Sequence, residues 1–505
     1  MLNLYTCKDE QNCPDVLHEY EAQLQTESIP LIIDNGSYHC RVGWATKLHP
    51  YLNFKNVIAK NRGNRKEKDW DIQVANEIAD LETVRWLLRT PYDFNVVVNY
   101  SVQETLLDYA FKHLGISTDG CINHPLVLTE AIANPSYCRK QMSELLFECY
   151  CIPKLAYGID CLFSNGYNMP EFDLPEVGLI VSSGFQSTHV LPVFGKKADI
   201  KNCCRINLGG YNCSAYMQRL LQFKHPQLVS ELTLSRMDEV VHGLCHVAPN
   251  YQEEITKCFD IGFKDKHATT LQFSSSTTPS NIKTGNILGG PLKLEKKLKQ
   301  AEHKLYELEC VIELEQESTE AAEKVAADAG CSSIKELKEK TELIRDNIQA
   351  IRRDLDEQYR LDKVATGTVK CGIEKCQAPE IIFQPSLVGY NQSGLSECIE
   401  MLLENYSKEV QELMAKNIFI TGGNTKIDGF RERVVKDMIQ IRPYQSEIIV
   451  RQAANPSLDA WRGAAKWALS QHCNWMERKD FEECGWEYLK EHNFSNMHVA
   501  TKSTT

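Results

Sequence analysis

The chain has 505 residues, 43% of them apolar and 25% charged, and 68 acidic against 56 basic side chains leave a formal net charge of −12. That is a globular composition with room for about three domains at roughly 100–200 residues each, which excludes a peptide hormone, a small stapled scaffold and a disordered tail. No run approaches ~18 consecutive apolar residues, the N-terminus carries charges where a signal peptide needs its apolar core, and the acidic total does not favour nucleic acid as a bulk partner.

Residues 1–28 are polar and without period, and read as an N-terminal arm. The body opens with Leu31-Ile32-Ile33, the turn Asp34-Asn35-Gly36-Ser37 and the renewed strand Cys40–Trp44, a β-hairpin. A second hairpin of the same design runs Gly178–Val181, Ser182–Gln186, Ser187–Val193, about 145 residues later, so the architecture is duplicated. Between them Val102–Leu114 and Arg139–Tyr150 have helical spacing, while Val96-Val97-Val98 and Pro125–Leu128 read as short buried strands. Strands alternating with helices predict an α/β body.

Ser274 to Ser280 reads as a linker. From Leu292 to Asp362, 31 of 71 residues are charged. Leu294, Leu298, Ala301, Leu305, Leu308 and Ile312 form one heptad seam, and Ile334, Leu337, Thr341, Ile344, Ile348, Ile351 and Leu355 form another. Gly330 can stop the first helix and Ser333 with Glu336 can cap the second, giving an antiparallel helical hairpin; a solvated helical spacer is the other reading. After a second linker at Thr366–Gln377 the α/β pattern resumes with Ile381-Ile382-Phe383. It continues through the strand Asn417–Ile420, the turn Thr421-Gly422-Gly423-Asn424-Thr425 and the helix Gly429–Ile439, a layout that can offer backbone N–H groups to a phosphate. Trp461, Trp467, Trp475 and Trp486 read as core packing or as an interface.

The 20 cysteines, without a secretion signal, read as reduced thiols. Cys371 and Cys376 have no second pair to complete a zinc site, so no metal site is expected. HExxH, GxxxxGK[ST], GxSxG and GxGxxG are all absent.

LIIDNGSYHCRVGW (31–44), LVLTEAIANP (126–135), MSELLFE (142–148), FQPSLVG (383–389), ITGGNTKIDGF (420–430) and AWRGAA (460–465) stand in the order found in actin and the actin-related proteins, a family the chain resembles over about 435 residues. The details TPYDFN, SELLFECY, YGID, LSRMDE, APEIIFQPSL, NPSLDAW and EYLKEH are similar to those of its nuclear members, which also carry a long insertion before the APEIIFQPS segment. The resemblance implies a duplicated α/β fold of the actin, hexokinase and chaperone ATPase type, two lobes around a nucleotide cleft, with an inserted helical hairpin. The expected boundaries are 1–28 for the arm, 29–280 for the first part of the body with a short basic loop at 55–77, 281–375 for the insertion and 376–505 for the second part of the body.

In the family each hairpin turn wraps the phosphates, and an aspartate in each helps to hold the hydrated metal. By that likeness Asp34, Gly36, Ser37, Arg41, Gly184, Gly210, Gly422 and Gly423 form a degenerate nucleotide site. Tyr38 stands where actin has a glycine, Ser182 and Phe185 where it has aspartates, and Gln186 where it has a glycine. Asp160 occupies the place of the water-positioning glutamine, Val241 and His242 those of a lysine and a glutamate, and Ile427 that of the aromatic facing the base. The expectation is ATP as a bound ligand that is not hydrolysed, hence no enzyme, no catalytic residue and no metal.

The short 55–77 segment lacks the long loop that actin uses to grip its neighbour. Its Lys60, Arg62, Arg65, Lys66 and Lys68, with Lys55 close by, read as DNA-contact candidates or as a solvated loop. The resemblance implies a structural subunit of an INO eighty type chromatin-remodelling complex in the nucleus, with a cytoplasmic pool. Its partners would be the motor ATPase, a small subunit of the complex and the nucleosome, both DNA and histones, with no membrane. Its roles would lie in transcription, replication, recombination and DNA repair. An ATP-switched cytoskeletal protein is the alternative.

Overall fold

A computed structural model of the chain describes residues 3–7, 9–60, 72–82, 84–116, 121–169, 177–195, 197–258, 267–273, 297–298, 300–302, 304–305, 339–353, 368–471, 473–485 and 492–496. They divide into two compact units, one of Met1–Thr6, His225–Glu231 and Thr269–Lys370, the other of Cys7–Lys224, Leu232–Ala268 and Cys371–Thr505.

The strands in chain order are β1 Asn3–Cys7, β2 Leu31–Asn35, β3 His39–Trp44, β4 Leu52–Lys55, β5 Ile58–Lys60, β6 Ile72–Val74, β7 Leu88–Arg89, β8 Tyr92–Asp93, β9 Val96–Val97 and β10 Leu126–Glu130. They continue with β11 Lys154–Ile159, β12 Val177–Ser183, β13 Thr188–Phe194, β14 Lys197–Ala198, β15 Cys204–Ile206, β16 Thr269–Phe273, β17 Thr368–Cys371, β18 Ile418–Thr421, β19 Val450–Gln452 and β20 Met476–Glu477.

The larger unit is built on two sheets of one plan. The first runs β4-β3-β2-β10-β11-β20 and the second β14-β13-β12-β18-β19, with β15 beside β13. In each, the hairpin is antiparallel (Leu31 opposite Trp44, Gly178 opposite Val193) and its first strand then pairs in parallel, Leu31 with Leu126 and Leu179 with Ile418. The duplication expected from the two hairpins is therefore present in strand order as well as in sequence. Strands β2 and β10 are buried along their whole length, as apolar runs covered on both faces should be.

Local chemistry sets the helices between them. Asn99 accepts a hydrogen bond from the Val102 N–H at 3.2 Å and so starts the helix Tyr100–His113, which Gly115 ends at φ +76°. The helix Ser136–Glu144 passes into one π turn at Leu145–Cys149. The helices Asp160–Asn168 and Asp459–Ala468 cross where Gly463 meets the Phe163 carbonyl, and the Trp461 indole N–H donates to Ile32 O at 3.3 Å. Trp461 and Trp467 are buried and Trp475 packs against their cluster, so core packing holds for these three; Trp486 lies outside the described residues.

Three expectations need refining. Val96-Val97-Val98 is a buried strand only in part: β9 is two residues long and pairs with β8 rather than with the main sheet, Val97 is buried in the core of the first sheet, and Val98 is exposed. The linker expected at Thr366–Gln377 contains β17 and the start of the helix Glu374–Glu380, whose Glu374 takes Lys224 at 2.7 Å. The arm at 1–28, polar and without period, nonetheless contains β1 and the short helix Ala22–Thr26.

In the smaller unit β16 lies between β1 and β17. Residues 339–353 are helical, with Thr341 and Ile348 of the predicted seam buried and Leu343 between them exposed. Arg352 pairs with Glu302 at 2.8 Å, and the residues that would join the two helices of the expected hairpin lie outside the described residues. Leu294, Leu308, Gly330, Ser333, Ile334 and Glu336 lie outside the described residues.

Candidate functional site

The two hairpin turns, Asn35–Tyr38 and Gly184–Ser187, come together with the Gly422-Gly423 turn. The second turn closes on itself, Gly184 N–H donating to Ser187 O at 2.9 Å, and also accepts Gly210 N–H at 3.1 Å. Asn424 ties the third element to it, donating to Ser183 Oγ at 3.0 Å and Gly184 O at 2.7 Å. Gly422 has φ +96° and its missing side chain faces Ser183 O, so only glycine serves there. Gly184, Gly210, Gly422 and Gly423 are thus gathered as the sequence reading grouped them, and Asp34, Gly36, Ser37 and Arg41 form the facing group.

The chemistry between the turns is not that of a phosphate cradle. The Tyr38 ring lies 4.4 Å from the Phe185 ring, centroid to centroid, and the Tyr38 hydroxyl donates to Asp238 Oδ2 at 2.7 Å. Asp34, the one carboxylate retained from the metal pattern, has both oxygens engaged: Arg41 Nη1 on Oδ2 and Thr129 Oγ1 on Oδ1, each at 2.9 Å. Ser182 pairs with His189 in the strand ladder and supplies no charge. Among the described residues no three His, Cys, Asp or Glu side chains gather as metal ligands. The carboxylates with which the family holds the hydrated metal are thus reduced to Asp34, already shared with Arg41 and Thr129, which fits a metal-bound triphosphate poorly.

Two cavities flank the aromatic pair. One of about 350 Å³ is walled by Val57, Leu81, Leu88, Phe185 and Leu234, with Lys55, Arg85 and Arg89 against Asp238 as its charged groups. The other, of about 590 Å³, is lined by Asp9, Glu10, Glu82, Asp238 and Glu239 against Arg236 and Lys426. Five carboxylates against two cations is the wrong balance for a polyphosphate. Burial, then Arg41, Lys55 and Lys426, hold His39 down at about 3, so it is neutral there.

Asp160 sits at the head of the helix Asp160–Asn168, beside a cavity of about 50 Å³, and accepts the Cys161 N–H at 2.7 Å. Burial and then the charge of Asp34 push its carboxyl from 3.8 up to about 7. The fold therefore keeps a proton that the unfolded chain releases near pH 4, so stability falls as pH rises from about 4 to about 7 and the penalty is complete above that. Asp160→Asn keeps the acceptor and removes the charge. Its melting curve should match the parent near pH 4 and exceed it by roughly 2 kcal/mol at pH 8, discounted for the water that reaches the group. A difference independent of pH would show that Asp160 does not carry the titration.

The sequence reading has the arm but not its contacts with the site. Asp9 makes a double contact with Arg236, Nε to Oδ1 at 2.5 Å and Nη2 to Oδ2 at 3.0 Å, and the next residue, Glu10, takes Lys55. Lys55 is consequently buried, lies over the Tyr38 ring at 5.0 Å and is no part of an exposed basic patch. No periodicity could signal these pairs, because the arm is held by isolated polar contacts. Of the DNA-contact candidates, Lys60 is exposed at the end of β5, and Arg62, Arg65, Lys66 and Lys68 lie outside the described residues.

The family model for actin matches residues 25–494. The chain is 38% identical to actin-related protein 5 of Homo sapiens, over 98% of this chain and 94% of that one. It is 35% identical to actin-related protein 5 of Gallus gallus over the same shares, and 27% identical to that of Drosophila melanogaster over 93% and 99%.

Proposed function

The chain belongs to the actin family, in its actin-related protein 5 group, and from that premise we propose that it is a non-catalytic structural subunit of an INO eighty type chromatin-remodelling complex. Members of the actin family typically bind a nucleotide; in this chain no phosphoryl transfer takes place. The observation that carries the reading is the engagement of both Asp34 oxygens, with Tyr38 and Phe185 packed between the two turns. Phosphoryl transfer depends on a charge-neutralising metal and an oriented nucleophile, and among the described residues no cluster of metal ligands gathers to hold the metal. The same loss counts against the ATP-switched cytoskeletal alternative.

In the complex, which acts in the nucleus, the motor ATPase is another chain. This subunit contributes a rigid body for the motor and small subunits and a basic segment beyond Lys60 for nucleosomal DNA, so that translocation becomes sliding. The test is reconstitution. With Lys60, Arg62, Arg65, Lys66 and Lys68 all changed to alanine, nucleosome affinity of the assembled complex should fall about tenfold or more at low salt and converge on the parent at high salt. Labelled ATP with magnesium should give no turnover by the isolated chain. Equal affinities across the salt titration, or a steady turnover abolished by Gly36→Trp, would overturn the respective half of the proposal.

A further inference from the structure

We infer that the cleft of this chain is bridged by its own side chains in place of a metal-bound nucleotide, so that its closed state is independent of ligand. Four separate links join the side of the first sheet to the side of the second. Tyr38, from the first turn, reaches Asp238 with its hydroxyl at 2.7 Å and Phe185 with its ring. The arm contributes Asp9 to Arg236 while Glu10 holds Lys55, so two adjacent residues grip opposite walls. Glu82 accepts hydrogen bonds from Thr233 Oγ1 at 2.7 Å and from Ser235. Gln186 accepts the Asn95 N–H, and Arg205 donates to Phe94 O.

These links replace what the missing chemistry would have supplied. A nucleotide between two turns draws them together through charge, but only after losing its translational freedom. Side chains already on the walls pay none of that cost, and charge-assisted bonds such as Asp9 to Arg236 are the stronger kind. The Asp9 and Arg236 side chains are 11% and 8% exposed, so solvent screens the pair little. Beyond Glu10 the arm stays anchored, with the Asn12 N–H on Ala79 O at 3.0 Å, Asp15 accepting the Tyr109 hydroxyl at 2.6 Å, and the His18 N–H on His113 O at 2.8 Å. It is a strap fastened at both ends.

Hydrogen exchange on the full chain tests the inference. In the parent, amides of the helix Leu234–Leu244 should exchange at the same rate, within twofold, with Mg-ATP, with EDTA and with neither. In the double variant Asp9→Asn, Glu10→Gln and in Tyr38→Gly they should exchange at least tenfold faster, with β10 amides unchanged as the control for folding. If either variant loses protection in β10 as well, Tyr38→Phe decides: it keeps the ring, loses only the bond to Asp238, and should speed exchange at least threefold. Slowing of the parent's helix by Mg-ATP tenfold or more, or variants that exchange like the parent, would overturn the inference. Neither readout involves a nucleosome, so the remodeller proposal is tested apart from it.

Discussion

Arg139→Leu should lower the stability of the chain by about 3–5 kcal/mol, measured as the shift of the urea midpoint at constant slope. Arg139 is 2% exposed, gives its Nε to Glu130 Oε2 at 3.0 Å and its Nη2 to Oε1, and lies over the Tyr157 ring at 5.2 Å. Glu130 is also held by Asn496 at 2.7 Å and Asn134 at 3.2 Å. Burial pushes its carboxyl up, but Arg139 and the two amides outweigh that and leave it below the ordinary range. Leucine strands a buried carboxylate, and that desolvated charge, not the loss of attraction, is the main cost. Two checks separate this mechanism from simple packing loss. Adding Glu130→Gln should recover part of the loss, and because a lowered carboxyl stabilises the fold above its unfolded pKa and is lost on acidification, the parent should lose more stability than the double variant as pH falls below the ordinary carboxylate value. No recovery in the double variant would count against the buried-charge account.

Gly463→Val should cost about 3 kcal/mol, and Gly463→Ala should also destabilise. The second result is the sharper one, since alanine is intrinsically better than glycine inside a helix by roughly 1 kcal/mol. At Gly463 a Cβ would run into the carbonyl of Phe163, so the helices Asp459–Ala468 and Asp160–Asn168 touch backbone to backbone. Any side chain forces them apart. The displacement loosens Trp461 and the bonds of Asp459, which accepts from Asn168 at 3.0 Å and from the Asn455 N–H at 2.7 Å. Overpacking of this kind costs about 1–3 kcal/mol by itself, and the lost contacts add to it. A stabilised Gly463→Ala in thermal melts would mean that the helices are further apart than described.

The hairpins were legible because β-branched runs flanking DNGS or SSGFQS leave a strand-turn-strand as the simplest reading, and repetition of the motif announced the second sheet. The candidate site was legible as a set of positions: the departures at Tyr38, Phe185 and Asp160 could be named from the likeness to actin. What Tyr38 does was not, because its partner Asp238 lies 200 positions away in sequence. Lys55 shows the limit of reading charge runs, which assume solvent. It was grouped with the basic loop, yet Glu10, in a stretch without pattern, removes it from water. Val98 lies just past the two-residue β9 and is exposed while Val97 is buried, because β propensity is decided by the packing around a residue and not by the residue alone.

Strand β1 pairs with β16, which is made only when the ribosome has passed Thr269–Phe273. At about 5–20 residues per second, the emerged Asn3–Cys7 segment waits on the order of tens of seconds for the edge it will join. Asn3–Cys7 thus stays without its sheet partner while the hairpins of β2–β3 and β12–β13, made after it and before β16, already have both of their strands.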